Sequence, residues 1–176
     1  LTNRVLADLD EIVWRFLTPA QRSASARPLE RVLSMLAFGP AHAAAHRVRQ
    51  FARFVVTTEA QTELESALQT SYDNDTLPEA LRARIALELA LRSTDADRII
   101  DAELERICSE SLRRRVSFLR RGVSSDRGTR DALFGRLIAG NEPDRWITEA
   151  LDWIGHPLHA GDSIAYIEPG IEHALR

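Results

Sequence analysis

The chain has 176 residues, the usual length of one domain, and a domain of this size buries roughly 70% of its unfolded surface without help from a metal or a disulfide. Its net charge of −3, spread over 28% charged residues, argues against nucleic-acid binding, which needs a strongly basic face. No apolar run approaches the ~18 residues of a membrane span, so we expect no membrane segment.

The single cysteine, Cys108, excludes a disulfide within the chain. Reduced cytosol fits this composition and we expect a cytoplasmic protein, although a secreted domain without disulfides stays open. Because the sequence has neither an initiator Met nor a basic and then apolar leader, we expect a soluble fragment or a processed chain.

Apolar residues recur at three- and four-residue steps along the chain, between signals that start or stop helices. In the second helix, roughly residues 19–38, Pro28 is expected to separate a short piece from a long one. The helix that follows Leu77 and Pro78 is apolar around most of its circumference, so we expect it to be central and buried. Ten start signals follow one another at intervals of 15 to 22 residues: Thr2, Thr18, Pro40, Thr58, Leu77, Thr94, Ser109, Asp126, Glu142 and Pro157.

Strand signals are missing, since the sequence has no sustained period-two alternation and no Asn-Gly or Asp-Gly hairpin. Two helices in roughly 34 residues is the period of a helix-turn-helix solenoid, although no residue-level repeat accompanies it. We therefore predict one all-α domain over residues 1–176. Its architecture is expected to be a curved array of antiparallel helical hairpins, about ten helices, similar to HEAT or armadillo repeats.

Two histidines, His42 and His46, lie four residues apart, which is the spacing at which a zinc-binding helix presents two imidazoles on one face. A metallopeptidase helix places a Glu directly after the first His as general base, and here that residue is Ala43. No HExxH occurs in the sequence, so we do not expect zinc catalysis. We interpret the pair as two histidines on a partly exposed helix face, while adventitious metal binding with a third ligand stays open.

Five arginines, Arg113, Arg114, Arg115, Arg120 and Arg121, spread over the outer side of a helix whose inner face is apolar. Such a cluster can hold an anion or a phosphate backbone. Because no aromatic residue interleaves it to stack bases, we favour a solvated face paired with acidic residues, namely Glu103, Glu105 and Glu110.

The three tryptophans, Trp14, Trp146 and Trp153, are most simply core anchors. Trp153 is out of phase with the apolar face of its own helix, which makes it the best candidate of the three to meet a second surface.

The last quarter of the chain, residues 142–176, predicts two packed helices. The first carries one apolar face and ends at Gly155 in a left-handed cap, and the second runs through Ile164 and Ile167 and closes at Pro169. The apolar face of the first helix is Trp146, Ile147, Ala150, Leu151 and Ile154.

Several strings in this quarter, ALD (150–152), HPL (156–158) and YIEPGIE (166–172), resemble the C-terminal helical domain of the aminopeptidase N family of zinc metallopeptidases, especially its bacterial members. Near the start of the chain, LADLDEIVWRFL (6–17) followed by TPAQR (18–22) is similar to an earlier helix of the same domain. Between these two stretches the resemblance is one of helix spacing only.

The resemblance implies a non-catalytic domain from the C-terminal end of a larger enzyme, a bowl of helical hairpins that packs over the zinc-bearing domain and limits peptide access to an enclosed cavity. Its partners would be the catalytic domain of the parent chain and the peptide substrates, and zinc would belong to that catalytic domain. The family's Gly-x-Met-Glu-Asn strand is absent, the one Met being Met35, and no catalytic, cofactor-binding or metal-binding residue is assigned. The alternatives are a free-standing helical-repeat module that binds a protein partner and, third, an all-helical enzyme with a metal at His42 and His46.

Overall fold

The computed structural model describes residues 3–39, 45–140 and 143–174, and in this part of the chain all regular structure is helical. The all-α class with about ten helices is therefore confirmed, while the curved array of hairpins stays a prediction. The first nine helices are α1 (Asn3–Glu11, continued by a π-helical segment, Ile12–Phe16), α2 (Pro19–Phe38), α3 (Ala45–Phe54), α4 (Thr58–Asn74), α5 (Glu79–Arg92), α6 (Ala96–Leu104), α7 (Glu110–Leu119), α8 (Arg127–Ile138) and α9 (Asp144–Ile154). Two short helices, α10 (Ala160–Ser163) and α11 (Ile167–Ala174), follow, with 3₁₀ segments at Pro157–His159 and Ile164–Tyr166.

Side-chain caps explain why several predicted starts fall close to the observed ones, while the predicted starts Thr2, Pro40 and Glu142 lie outside the described residues. Thr18 forms a capping box with Gln21, since the Thr18 hydroxyl accepts from the Gln21 N–H and the Gln21 side chain accepts from the Thr18 N–H. Ser109 accepts from the N–H of the third residue of its helix in the same way. Asp126 does so at α8, and the hydrogen bonds from the Thr129 hydroxyl and N–H lower the pKa of its carboxyl.

The expected break at Pro28 is wrong, because α2 continues through it from Pro19 to Phe38. A proline inside a helix removes one hydrogen bond to the carbonyl four residues earlier, here that of Ala24. Both Pro28 and Ala24 are exposed, so water can satisfy that carbonyl and the helix is not forced to end.

The chain divides into two compact units, Leu1–Leu89 and Ala90–Arg176, and the expectation of a single domain stays a prediction. The division falls within α5. As predicted, α5 is buried along most of its length, which agrees with its apolar composition: Leu81, Ala83, Ile85, Ala86, Leu87, Leu89, Ala90 and Leu91 are all buried. No helix in the described ranges is both long and apolar enough to cross a membrane.

In the unit Leu1–Leu89, the buried side chain of Glu30 on α2 is hydrogen-bonded to the residues at the start of α4. Its carboxylate accepts hydrogen bonds from the N–H of Val56 at 2.6 Å, from the N–H of Thr57 at 2.9 Å and from the Thr57 hydroxyl at 2.6 Å. Three donors replace the water that the buried carboxylate loses. The core beside this contact contains Leu33, Ala37, Val48, Phe51, Phe54, Val55, Leu64 and Leu68.

In the unit Ala90–Arg176, the turn after α7 approaches α9 at Gly122. A Cβ atom on Gly122 would lie 3.0 Å from the Cβ of Trp153, so the missing side chain leaves room for that tryptophan. Trp153 is 1% exposed, so it has the core role that we favoured for the three tryptophans, and the alternative of contact with a second surface is wrong for it. Leu151 lies about 200° around the helix from Trp153. Its side chain is 42% exposed, so the prediction that it belongs to the buried apolar face is wrong.

Candidate functional site

The last described helix presents an exposed line of isoleucines, which we call the isoleucine row: Ile164, Ile167 and Ile171. The three side chains are 71%, 57% and 56% exposed. Their spacing of three and four residues places them on one side of the segment formed by the second 3₁₀ turn and α11. Large apolar side chains scattered singly on a surface need no explanation, whereas several on one face make that face a candidate interaction surface.

The opposite side of the same segment is packed on α8. The ring of Tyr166 lies 4.7 Å from that of Phe134, centroid to centroid, and the Tyr166 hydroxyl donates to Asp131 Oδ1 at 2.7 Å. Burial and, second, this hydrogen bond raise the pKa of the Tyr166 phenol, so that it stays protonated and donates at neutral pH. Gly170, four residues on, adds to this contact because a Cβ there would lie 3.9 Å from the Phe134 ring. The segment is thus held with its isoleucines turned away from α8.

A buried arginine on α8 connects α10, which directly precedes this segment, to the turn before α8. Arg130 is 1% exposed, and its guanidinium donates to the backbone carbonyls of Ser124 at 2.7 Å and Ser125 at 3.0 Å and to the carboxylate of Asp162. On α10, the Ser163 hydroxyl donates to the Ile154 carbonyl at 2.7 Å. The segment is therefore fixed to both α8 and the end of α9 by hydrogen bonds.

His159 lies beside this arginine and is half-buried. Burial and, second, the positive charge of Arg130 lower the pKa of the His159 imidazole to about 4, against the opposing effect of Asp162. The imidazole is accordingly neutral at physiological pH. Its Nε2 atom is buried and has no hydrogen-bond partner, which fits an uncharged ring among packed residues.

Two predictions about this region are wrong. Pro169 does not close a helix, because it lies in the first turn of α11, where a residue without an N–H costs no hydrogen bond. Gly155 is not left-handed, with φ of −81°, and its N–H instead donates to the Leu151 carbonyl at 2.8 Å.

The histidine pair is only half described. His46 is exposed on α3, and His42 lies outside the described residues. Within the described ranges, no group of three or more His, Cys, Asp or Glu side chains is arranged to hold a metal ion.

The arginine cluster pairs with carboxylates, as predicted, although mostly with different ones. Arg113 and Arg114 both reach Glu110, at 3.2 Å and 3.8 Å. Arg120 donates to Asp97 at 2.7 Å and to Asp101 at 2.9 Å, and these bonds raise its pKa. In addition, Arg115 pairs with Glu149 at 2.5 Å, and the predicted partner Glu103 is a core residue. Four of the five arginines therefore form ion pairs, which connect α7 and its C-terminal end to α6 and α9, and Arg121 is exposed.

Comparisons of this chain with protein-family models, with curated proteins and with solved structures found no match.

Proposed function

We propose that this chain is the non-catalytic C-terminal helical domain of a zinc aminopeptidase, in which it packs against the catalytic domain and limits which peptides reach the active site. The observation that carries the proposal is the position of the isoleucine row. Two of its members, Ile167 and Ile171, lie within the string YIEPGIE that resembles the aminopeptidase N family. Both are more than half exposed, as expected for residues that another domain covers.

The free energy available from covering the row can be estimated from its exposure. Full burial of an isoleucine side chain contributes roughly 1.5–3 kcal/mol, and somewhat more than half of each side chain remains to be buried. Covering the three would contribute about 3–5 kcal/mol, a factor of roughly 10² to 4 × 10³ in an association constant. The row is therefore a suitable centre for a domain interface whose rim is made by other residues.

The first test compares aminopeptidase activity in this 176-residue chain and in the longest product of its gene, with and without added zinc, on several aminoacyl fluorogenic substrates. We expect activity in the long product only, because the chain has no HExxH. Activity in the chain alone, or a long product without HExxH and without peptidase activity, would contradict the proposal.

The second test addresses the docking surface in the long product. Ile167→Ser combined with Ile171→Ser removes two members of the row, whereas Met35→Ser replaces a side chain that is 68% exposed in the other unit. We expect the double variant to lose discrimination between short and long peptides, measured as the ratio of kcat/KM values, and the Met35 variant to retain it. Equal behaviour of the two variants would show that the row is not the docking surface.

A free-standing helical-repeat module that binds a separate protein is the second candidate, because an exposed apolar row would serve that role equally well. The full gene separates the two functions. An HExxH in the same polypeptide supports the domain of an aminopeptidase, and a gene product that consists of this helical chain alone supports the interaction module.

A further inference from the structure

A groove of about 590 Å³ opens in the unit Leu1–Leu89 between α4 and the ends of α2 and α3. Its apolar floor is Phe38 together with the edge of Leu77, which is 8% exposed, over the fully buried Val48, and the rest of its lining comes mostly from one face of α4. The volume lies within the range of roughly 300–1,000 Å³ that is common for ligand-binding pockets. Nothing in the sequence analysis pointed to it.

The α4 side of the groove is open because the residues on that face are short or charged. Residues 59, 62, 63, 66, 67 and 70 recur at three- and four-residue steps, so they share one face of the helix. The largest apolar side chain among them is that of Ala67. Large apolar residues of α4, Leu64 and Leu68, point into the core instead.

The far end of the groove is held in a fixed shape. Asp75 has the left-handed conformation, with φ of 49°, and ends α4 by donating its N–H to the Ser71 carbonyl at 2.9 Å. The buried Ser71 hydroxyl accepts from the Leu77 N–H at 3.1 Å, and Arg82 donates to the Leu77 carbonyl at 3.1 Å. Leu77 is therefore positioned from both sides before any ligand binds.

The charge of the groove is negative. Its lining contains Glu59 and Glu63, and no Arg or Lys occurs among the described residues that line it. Glu59 pairs with Arg27 at 2.8 Å, whereas the partner seen for Glu63 is the uncharged hydroxyl of Ser34. The sequence of α4 has four acidic residues and no basic one, so the potential along this helix favours a cation.

We propose that this groove binds a peptide segment of a partner protein that places an apolar side chain over Phe38 and the exposed edge of Leu77 and a Lys or Arg side chain against Glu63. The apolar floor supplies contact area, and the exposed carboxylate selects the charge of the neighbouring residue. The proposal does not depend on the zinc aminopeptidase, because the groove and the isoleucine row lie in different units.

The test uses a fluorescein-labelled twelve-residue peptide of Leu, Ala and Lys and a matched peptide in which Glu replaces Lys, with fluorescence anisotropy as the readout on the full 176-residue chain. Glu63→Lys reverses the charge at the groove, and Ala67→Leu fills the groove without changing charge. The control is Glu65→Lys, on the same helix but outside the lining. Thermal melting confirms that each variant is folded.

We expect the Lys peptide to bind the unaltered chain and the Glu peptide not to bind. Glu63→Lys and Ala67→Leu should each weaken the Lys peptide about tenfold, and Glu65→Lys less than about twofold, because an exposed charge outside the contact contributes little. Failure of the Lys peptide to bind at about 1 mM would overturn the proposal, as would equal effects of the changes at residues 63 and 65. An Ala67→Leu variant that binds normally would show that the peptide lies elsewhere on the acidic surface.

Discussion

Replacing Gly122 by Ala tests how closely the turn after α7 packs against α9. The new Cβ would lie 3.0 Å from the Cβ of Trp153 and 3.3 Å from the Leu119 carbonyl oxygen, and neither atom is at the end of a flexible side chain. The two elements must therefore separate by a few tenths of an ångström, and overpacking of this kind costs roughly 1–3 kcal/mol. The reduced entropy of the unfolded chain offsets about 0.4–1 kcal/mol of this, which leaves a net loss of up to about 2.6 kcal/mol.

Gly135 provides the matched control, since it is exposed in the interior of α8 and a Cβ there would meet nothing within 4 Å. Gly135→Ala should stabilise the protein by about 0.5–1 kcal/mol because alanine has the higher helix propensity. Urea unfolding followed by tryptophan fluorescence measures both variants, and buried Trp153 reports on the affected contact. If Gly122→Ala also raised the urea midpoint, the close contact between the turn and α9 would be disproved.

The remaining predictions concern one histidine and two arginines of the unit Ala90–Arg176. The pKa of His159 is about 4 when folded and near 6.5 when unfolded, so the unfolded state binds the proton first and stability falls as the pH drops from about 6.5 towards 4. His159→Gln should flatten that fall, measured as urea midpoints at pH 7.5 and pH 5, and an unchanged profile would assign the acid sensitivity to other groups. Arg130→Met should cost about 2–4 kcal/mol, because it removes a buried guanidinium from two carbonyls and a carboxylate. Arg120→Met removes two ion pairs to exposed carboxylates and should cost less than about 1 kcal/mol; similar costs for the two arginines would show that burial does not decide the difference.

The arginines illustrate what can be recognised in a sequence without its fold. A short stretch of sequence is enough to predict local ion pairs, because one helix turn brings residues three and four apart together. Glu110 pairs with Arg113 and Arg114 in this way. The long-range partner Glu149 was not foreseen, since 34 residues separate it from Arg115. The contact between Arg130 and Asp162 was not predicted either, because 32 residues separate them and only the tertiary fold brings them together.

The sequence alone determined the helical class and most helix starts, because periodicity and caps act within one or two turns of the chain. Thr18, Ser109 and Asp126 cap helices through donors three residues away, and no tertiary contact is needed for that. Tertiary structure decided which side of each helix is covered. Trp153 is buried next to Gly122, which has no side chain to exclude it, and Leu151 is exposed. The isoleucine row and the groove beside α4 also arise only in the folded chain, since only the packing of the helices decides which apolar residues stay exposed.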